Sequence, residues 1–271
     1  MKKILVLDGG GQLGAFQWGA MTELHNHSIN YSFFDCYVAT SAGAFNACYF
    51  LAEQIGQGTR LWLEHLPSGF WKFFKNDINY LECLLKEIEP LNCCAVASRK
   101  QKIYAALSNA ETQKAEYLCL DNPDKMIEIL LACGSMPFLS KQKKLDNAEY
   151  YDGSLTAQPP IQKALEFNSA EIWVICNKPV GYRVSNAFWK AISALQLFHK
   201  GTRKLLYNYP ESQNKTMEIL DNRPNFQIIR PDFTLPIGFR STNKFMINKT
   251  FELGKKSARK FLAKRFIKTK K

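Results

Sequence analysis

Residues 33–45 read Phe33-Phe34-Asp35-Cys36-Tyr37-Val38-Ala39-Thr40-Ser41-Ala42-Gly43-Ala44-Phe45, and their reading decides the fold. An apolar, β-prone run ends in small residues around a serine, and a helix-forming stretch from Ala44 to Glu53 follows. A strand, a sharp turn carrying a serine and a helix make a nucleophile elbow. The turn lifts the hydroxyl out of the sheet, and the helix N-terminus presents free N–H groups to developing negative charge. The positions two before and two after the serine must be small, because backbone atoms crowd there. They are Ala39 and Gly43, so the pattern G-x-S-x-G is met with its first glycine replaced by alanine. The same residues suit an ordinary strand-to-helix turn, and the segment alone leaves both readings open.

Upstream, Lys3-Ile4-Leu5-Val6-Leu7 is continuously apolar after its lysine, as a buried strand of a parallel sheet should be. The loop Asp8-Gly9-Gly10-Gly11-Gln12-Leu13-Gly14 follows and opens a helix, so the chain begins β–α–β–α. Gly9, Gly11 and Gly14 satisfy G-x-G-x-x-G, and Asp35 stands 21 residues beyond Gly14, about where a dinucleotide-binding unit keeps its ribose-binding acid. An NAD- or FAD-binding oxidoreductase is therefore a rival reading. A glycine loop at a helix N-terminus holds a pyrophosphate or an oxyanion equally well. The oxyanion reading also accounts for a serine among small residues at the start of the next helix; the dinucleotide reading does not.

Downstream, residues 103–107 and 115–120 are candidates for paired strands, and 123–133 for a helix with proline in its first turn. A short strand over 148–152 leads into a glycine turn, followed by a helix over 159–167 and a buried strand over 171–176. The pattern predicts a long amphipathic helix over 187–207, a last strand over 225–230 and a closing helix over 243–268. Residues 56–95 read as helical or irregular, with an aromatic patch at Phe70-Trp71-Lys72-Phe73-Phe74-Lys75. No repeat or low-complexity linker divides the 271 residues. One large α/β domain over 1–254 is expected, with 255–271 as a basic helix or tail appended to it or part of it.

Apolar residues at 46% and charged residues at 22% describe an ordinary globular protein. Asp8 interrupts the short apolar run after Lys2 and Lys3, so no signal peptide and no membrane span is expected, and the cytoplasm, with peripheral membrane contact, is the expected location. The eight cysteines show no metal-ligand spacing and read as buried free thiols; neither metal nor cofactor is expected. Net charge is +12, and the nine Lys/Arg of Lys255–Lys271, with no acid among them, account for most of it. Ala258, Phe261, Leu262 and Phe266 fall on one side of that segment. Either the stripe packs on the core, or it lies on an anionic membrane; nucleic acid is the least expected partner.

Tyr150-Tyr151-Asp152-Gly153-Ser154 places an aspartate at a strand end, and Asp-Gly is also a common turn dipeptide. In combination it says more. The order D-G-G-G-x-x-G, x-x-S-x-G, D-G-small resembles the patatin-like phospholipase family, with a matching strand–loop–helix layout over roughly residues 3–180. Cys133-Gly134-Ser135-Met136-Pro137-Phe138 resembles the small-residue segment that family places before its aspartate. The resemblance implies a three-layer α/β/α fold with a mostly parallel central sheet. It also implies hydrolysis of phospholipid or other acyl-lipid esters by a Ser–Asp dyad without histidine. It assigns the nucleophile to Ser41, the base to Asp152 and the oxyanion hole to backbone N–H groups of Gly10, Gly11 and Gln12. Gly9, Gly14, Ala39, Gly43 and Gly153 complete the motifs. Three residues depart from the family: Leu13 replaces a loop arginine or lysine, Ala39 an elbow glycine, and Ser154 a glycine or alanine. They leave a third reading, a catalytically weak protein that binds a lipid surface. His199 follows Asp152 and keeps the order Ser…Asp…His of other hydrolases, but its helical setting suits a surface histidine.

Overall fold

A computed structural model describes residues 1–69, 78–137, 142–168, 170–195 and 198–268. Eight strands form one sheet: β1 (Lys3–Leu7), β2 (Cys36–Thr40), β3 (Lys102–Asn109), β4 (Ala115–Cys119), β5 (Lys143–Leu145), β6 (Ala148–Asp152), β7 (Glu171–Ile175) and β8 (Gln227–Ile229). The pairings run β5-β6-β3-β2-β1-β7-β8, with β4 on one edge of β3 and β2 and β6 end to end on the other. From β3 to β8 along this order the neighbours are parallel, while β4, β5 and β6 pair antiparallel.

The alternation of side chains across a strand divides the core into two layers. Leu5, Leu7, Tyr37 and Ala39 face one side, packed with α1 (Gly14–Asn26), α2 (Ala42–Leu51), the helix Pro123–Cys133 and the closing helix Lys244–Lys268. Ile4, Val6, Val38, Ile172 and Val174 face the other, packed with Ile161 and Ala164 of one helix and Met217 and Leu220 of another. Strands buried on both faces require continuous apolar sequence, as the 3–7 and 171–176 runs have.

Several expectations need adjusting. The helix expected over 187–207 is two: Asn186–Ala194, then Lys200–Asp221. The second runs past the expected end at 207 and through Pro210, a residue that ordinarily breaks a helix interior. Its buried face, Leu205, Leu206, Gln213, Met217 and Leu220, continues across the proline, and Gln213 is anchored to the Gln158 carbonyl at 2.6 Å. Of the eight unpaired cysteines only Cys36, Cys48, Cys133 and Cys176 are buried, and Cys94 is exposed. The aromatic patch at residues 70–75 lies outside the described residues.

As far as Lys268, the basic C-terminal segment continues the closing helix with no break at residue 254. That helix crosses α1 closely: a Cβ on Gly19 would strike the Phe251 carbonyl, and one on Gly254 the Phe16 carbonyl. Ala258 and Leu262 are buried against the core, and Phe261 meets the Trp173 ring edge-on at 5.0 Å. Arg259 holds Glu23 with two hydrogen bonds of 2.8 and 3.1 Å, and Arg265 pairs with Glu171 at 2.8 Å. Among the described side chains, Ala258, Phe261 and Leu262 of the stripe pack on the core. No described helix is long and apolar enough to cross a membrane.

Candidate active site

β2 ends at Thr40, and Ser41 caps α2 with φ 52° and ψ −127°. A non-glycine residue held at positive φ is strained, and such strain collects at functional sites. The small neighbours explain how the turn fits. A Cβ on Gly43 would collide with the Asp8 carbonyl and Leu7, and one on Gly9 would stand 3.1 Å from the Ser41 Cβ. Ala39 is fully buried within β2, where the core accommodates its methyl group. Below the turn, Asn46 ties the helices together, donating to the Gly14 carbonyl at 3.1 Å and Gln17 at 3.2 Å and accepting from Trp62 at 2.6 Å.

Asp152 closes β6. Its amide donates to the Ser135 carbonyl at 2.8 Å and its carbonyl accepts from Ser108 at 2.8 Å. This is what the Cys133–Pro137 segment does: it clamps the backbone that carries the carboxylate. Gly153 is needed because a Cβ there would run into the Ala106 carbonyl. The carboxylate is 2% exposed, and burial pushes its pKa up to about 6 against the lowering effect of hydrogen bonds from the Ser41 side chain and from Ser154. The Ser154 amide donates to Oδ1 at 2.8 Å, while its hydroxyl lies 3.3 Å from Met136 Sδ. Ser41 and Asp152 are thus brought together, with the carboxylate at the basicity a proton acceptor needs near neutral pH.

The glycine loop supplies the third component. Gly10 (φ 139°) and Gly11 (φ 55°) adopt conformations that favour glycine, and their amides have no acceptor among the described residues. The Gln12 amide differs from expectation: it donates to the Phe239 carbonyl at 3.1 Å. The strap before the closing helix crosses the loop here, so the free donors narrow to Gly10 and Gly11. Leu13 folds beneath Gly10 and presents no charge, since a Cβ on Gly10 would meet its side chain at 3.1 Å.

Ser41, Asp152, Gly10 and Gly11 line one cavity of about 380 Å³ with Phe45, Leu61, Trp62, Leu81, Leu235 and Ile237, an apolar chamber with a small polar end. Lys178, Tyr182 and Tyr209 also line it and were not singled out from sequence. The signal was present: Asn177-Lys178 immediately follows a buried strand, and α/β sheets build their sites at the carboxyl ends of strands.

The dinucleotide reading fails on geometry. Asp35 precedes β2, at the amino end of the sheet, where it accepts from the Lys3 amide at 2.7 Å. A ribose-binding acid belongs at the opposite end, beside the glycine loop. His199 is exposed at the start of the Lys200–Asp221 helix and does not line the cavity, so no triad assembles.

A family model described as patatin-like phospholipase matches residues 5–165, from β1 through the helix that follows Asp152. The chain belongs to the patatin-like phospholipase family. It is 24% identical over 187 residues to the uncharacterized protein YjjU of Escherichia coli (strain K12), a match covering 65% of this chain and 52% of that protein; the chain thus spans about half the length of this relative. The crystal structure of VipD from Legionella pneumophila superposes with a TM-score of 0.57 at 12% identity, covering 97% of this chain and 67% of VipD, a likeness of fold. The match spans all three motif elements, and the departures at Leu13, Ala39 and Ser154 sit inside this patatin-like framework.

Proposed function

We propose that this chain is a serine hydrolase of acyl-lipid esters, phospholipids or lysophospholipids, acting through a Ser41–Asp152 dyad. The observation that carries the proposal is a strained serine and a buried carboxylate whose pKa it lowers, beside two free glycine amides, lining the polar end of one apolar cavity. The apolar chamber suits an acyl chain. Asp152 takes the hydroxyl proton as Ser41 Oγ attacks the ester carbonyl carbon, and the tetrahedral oxyanion accepts hydrogen bonds from the Gly10 and Gly11 amides. Collapse expels the alkoxide, which takes the proton from Asp152 and leaves an acyl-Ser41 ester. A water, deprotonated by Asp152, then releases the fatty acid and regenerates the serine.

For lipid contact we favour the cavity mouth over the C-terminal helix. Exposed Val180, Phe188, Phe233 and Phe239 lie in the cavity lining or next to lining residues in the chain, with Arg183, Lys190 and Arg240 nearby in sequence. Apolar and basic groups together suit an anionic membrane surface. Turnover of a fluorogenic phospholipid tests the function: the reading requires hydrolysis by the wild type that is lost in both Ser41→Ala and Asp152→Asn. Activity surviving Ser41→Ala overturns it.

A further inference from the structure

We propose that Lys178 is the group that reads the phosphodiester of a phospholipid or lysophospholipid substrate, an inference that rests on the acyl-lipid hydrolase reading. Lys178 follows the carboxyl end of β7 and lines the cavity, and among the described lining residues it is the one lysine or arginine. It is buried, with Nζ 2.7 Å from Asp8 Oδ2. An ammonium has three donors, and Asp8 accounts for one. A buried ion pair is costly to desolvate, and apolar residues of similar size serve stability as well. Its placement in the wall of an apolar chamber therefore points to use by a ligand.

Its position relative to the reacting atoms follows from three contacts. The Asn177 amide side chain donates to the Gly9 carbonyl at 2.9 Å. Asn177 Nδ2 would also stand 3.4 Å from a Cβ on Gly10, and Gly9 in turn abuts Ser41. The Asn177 backbone amide donates to the same Asp8 oxygen as Lys178, at 3.1 Å. Asp8, Asn177 and Lys178 thus fasten the end of β7 to the glycine loop and set the cation beside it. Tyr209 lines the same cavity and lies within range of both Asp8 and Asp152, whose charges add to burial and Tyr182 in raising its phenol. Ion pair and dyad share one polar end. Leu13 leaves the loop without a charge, so Lys178, from the end of β7, supplies the positive charge among the described lining residues.

The test compares two substrates with one acyl ester, 1-palmitoyl-lysophosphatidylglycerol and 1-palmitoylglycerol, which differ by the phosphodiester. Relative to wild type, Lys178→Gln lowers the ratio of their kcat/KM values about tenfold or more, as loss of a charged hydrogen bond should, and Lys178→Arg retains most of it. An unchanged ratio overturns the proposal, because loss on both substrates alike means Lys178 only neutralises Asp8. Should Lys178→Gln fail to fold, the double exchange Asp8→Asn with Lys178→Gln leaves no unpaired charge at this position and carries the same readout. Binding of an ether-linked lysophosphatidylglycerol analogue, measured by calorimetry, is independent of turnover. About tenfold weaker binding by Lys178→Gln supports the assignment, and absent or equal binding overturns it. If wild type hydrolyses neither ester, the hydrolase reading falls while this binding arm still decides Lys178.

Discussion

Ser41 and Asp152 meet along one edge of β3. Thr40 at the end of β2 faces Ala106, and Asp152 at the end of β6 faces Leu107, the next residue. β4 pairs with Tyr104–Ser108, which occupies the other edge. β2 and β6 therefore run toward each other on the same side of β3, one parallel and one antiparallel, and stop where the two side chains face. The meeting of these two residues is a consequence of sheet register, and a one-residue slip would turn Asp152 to the opposite face.

Activity should depend on the ionised form of Asp152. With its pKa raised to about 6, kcat/KM on a soluble acyl ester is expected to be level above that pH and to fall about tenfold per unit below it. A profile flat down to pH 4.5 would remove Asp152 as the base.

The same shift has a stability consequence of opposite sense. The folded-state pKa lies above the ordinary value of 3.8, so the protonated form is favoured in the fold, and this contribution is lost as pH rises through about 6. Asp152→Asn should then stabilise the protein at pH 8 by up to about 3 kcal/mol, and the gain should fall to about half of that at pH 5, vanishing only below the unfolded-state value near 3.8. Urea unfolding at both pH values measures it.

Backbone strain at Ser41 gives a third expectation. Glycine tolerates φ 52° without penalty, so Ser41→Gly should raise stability by about 1 kcal/mol or more while abolishing turnover. Thermal unfolding of Ser41→Gly and Ser41→Ala, compared side by side, isolates the backbone contribution.

Gly10 should be intolerant for a different reason. Alanine there is strained at φ 139° and meets Leu13, which re-aims the amides facing the oxyanion. Gly10→Ala is expected to lower kcat about 100-fold with KM little changed. His199→Ala, exposed and outside the cavity lining, should leave both constants at wild-type values, and a comparable loss there would argue for a triad.

The closing helix is structural. Leu262 is 2% exposed, and Leu262→Ala should cost about 2–5 kcal/mol. Removing residues 255–271 should lower the unfolding midpoint steeply. A truncated chain that keeps its stability and loses only liposome binding would contradict this.

Much of this protein is legible in its sequence because the deciding signals are local. Continuous apolar runs mark β1 and β7, crowding at the elbow demands Ala39 and Gly43, and three short motifs in order identify the family. The helix break before Lys200 and the passage through Pro210 were hidden, because a packed face overrode the local rule against proline. The tail left two readings open because half of an amphipathic pattern is the partner it meets, and α1 is such a partner for this helix.

What lies in long-range pairing was decided only on folding. The meeting of Ser41 with Asp152 depends on how two distant strands share an edge of β3. Capture of the Gln12 amide by Phe239, and the seating of Lys178 on Asp8, join residues more than a hundred positions apart. Residue identity sets which chemistry is available; burial and register set which carboxylate is basic, which amides stay free and where the cation stands.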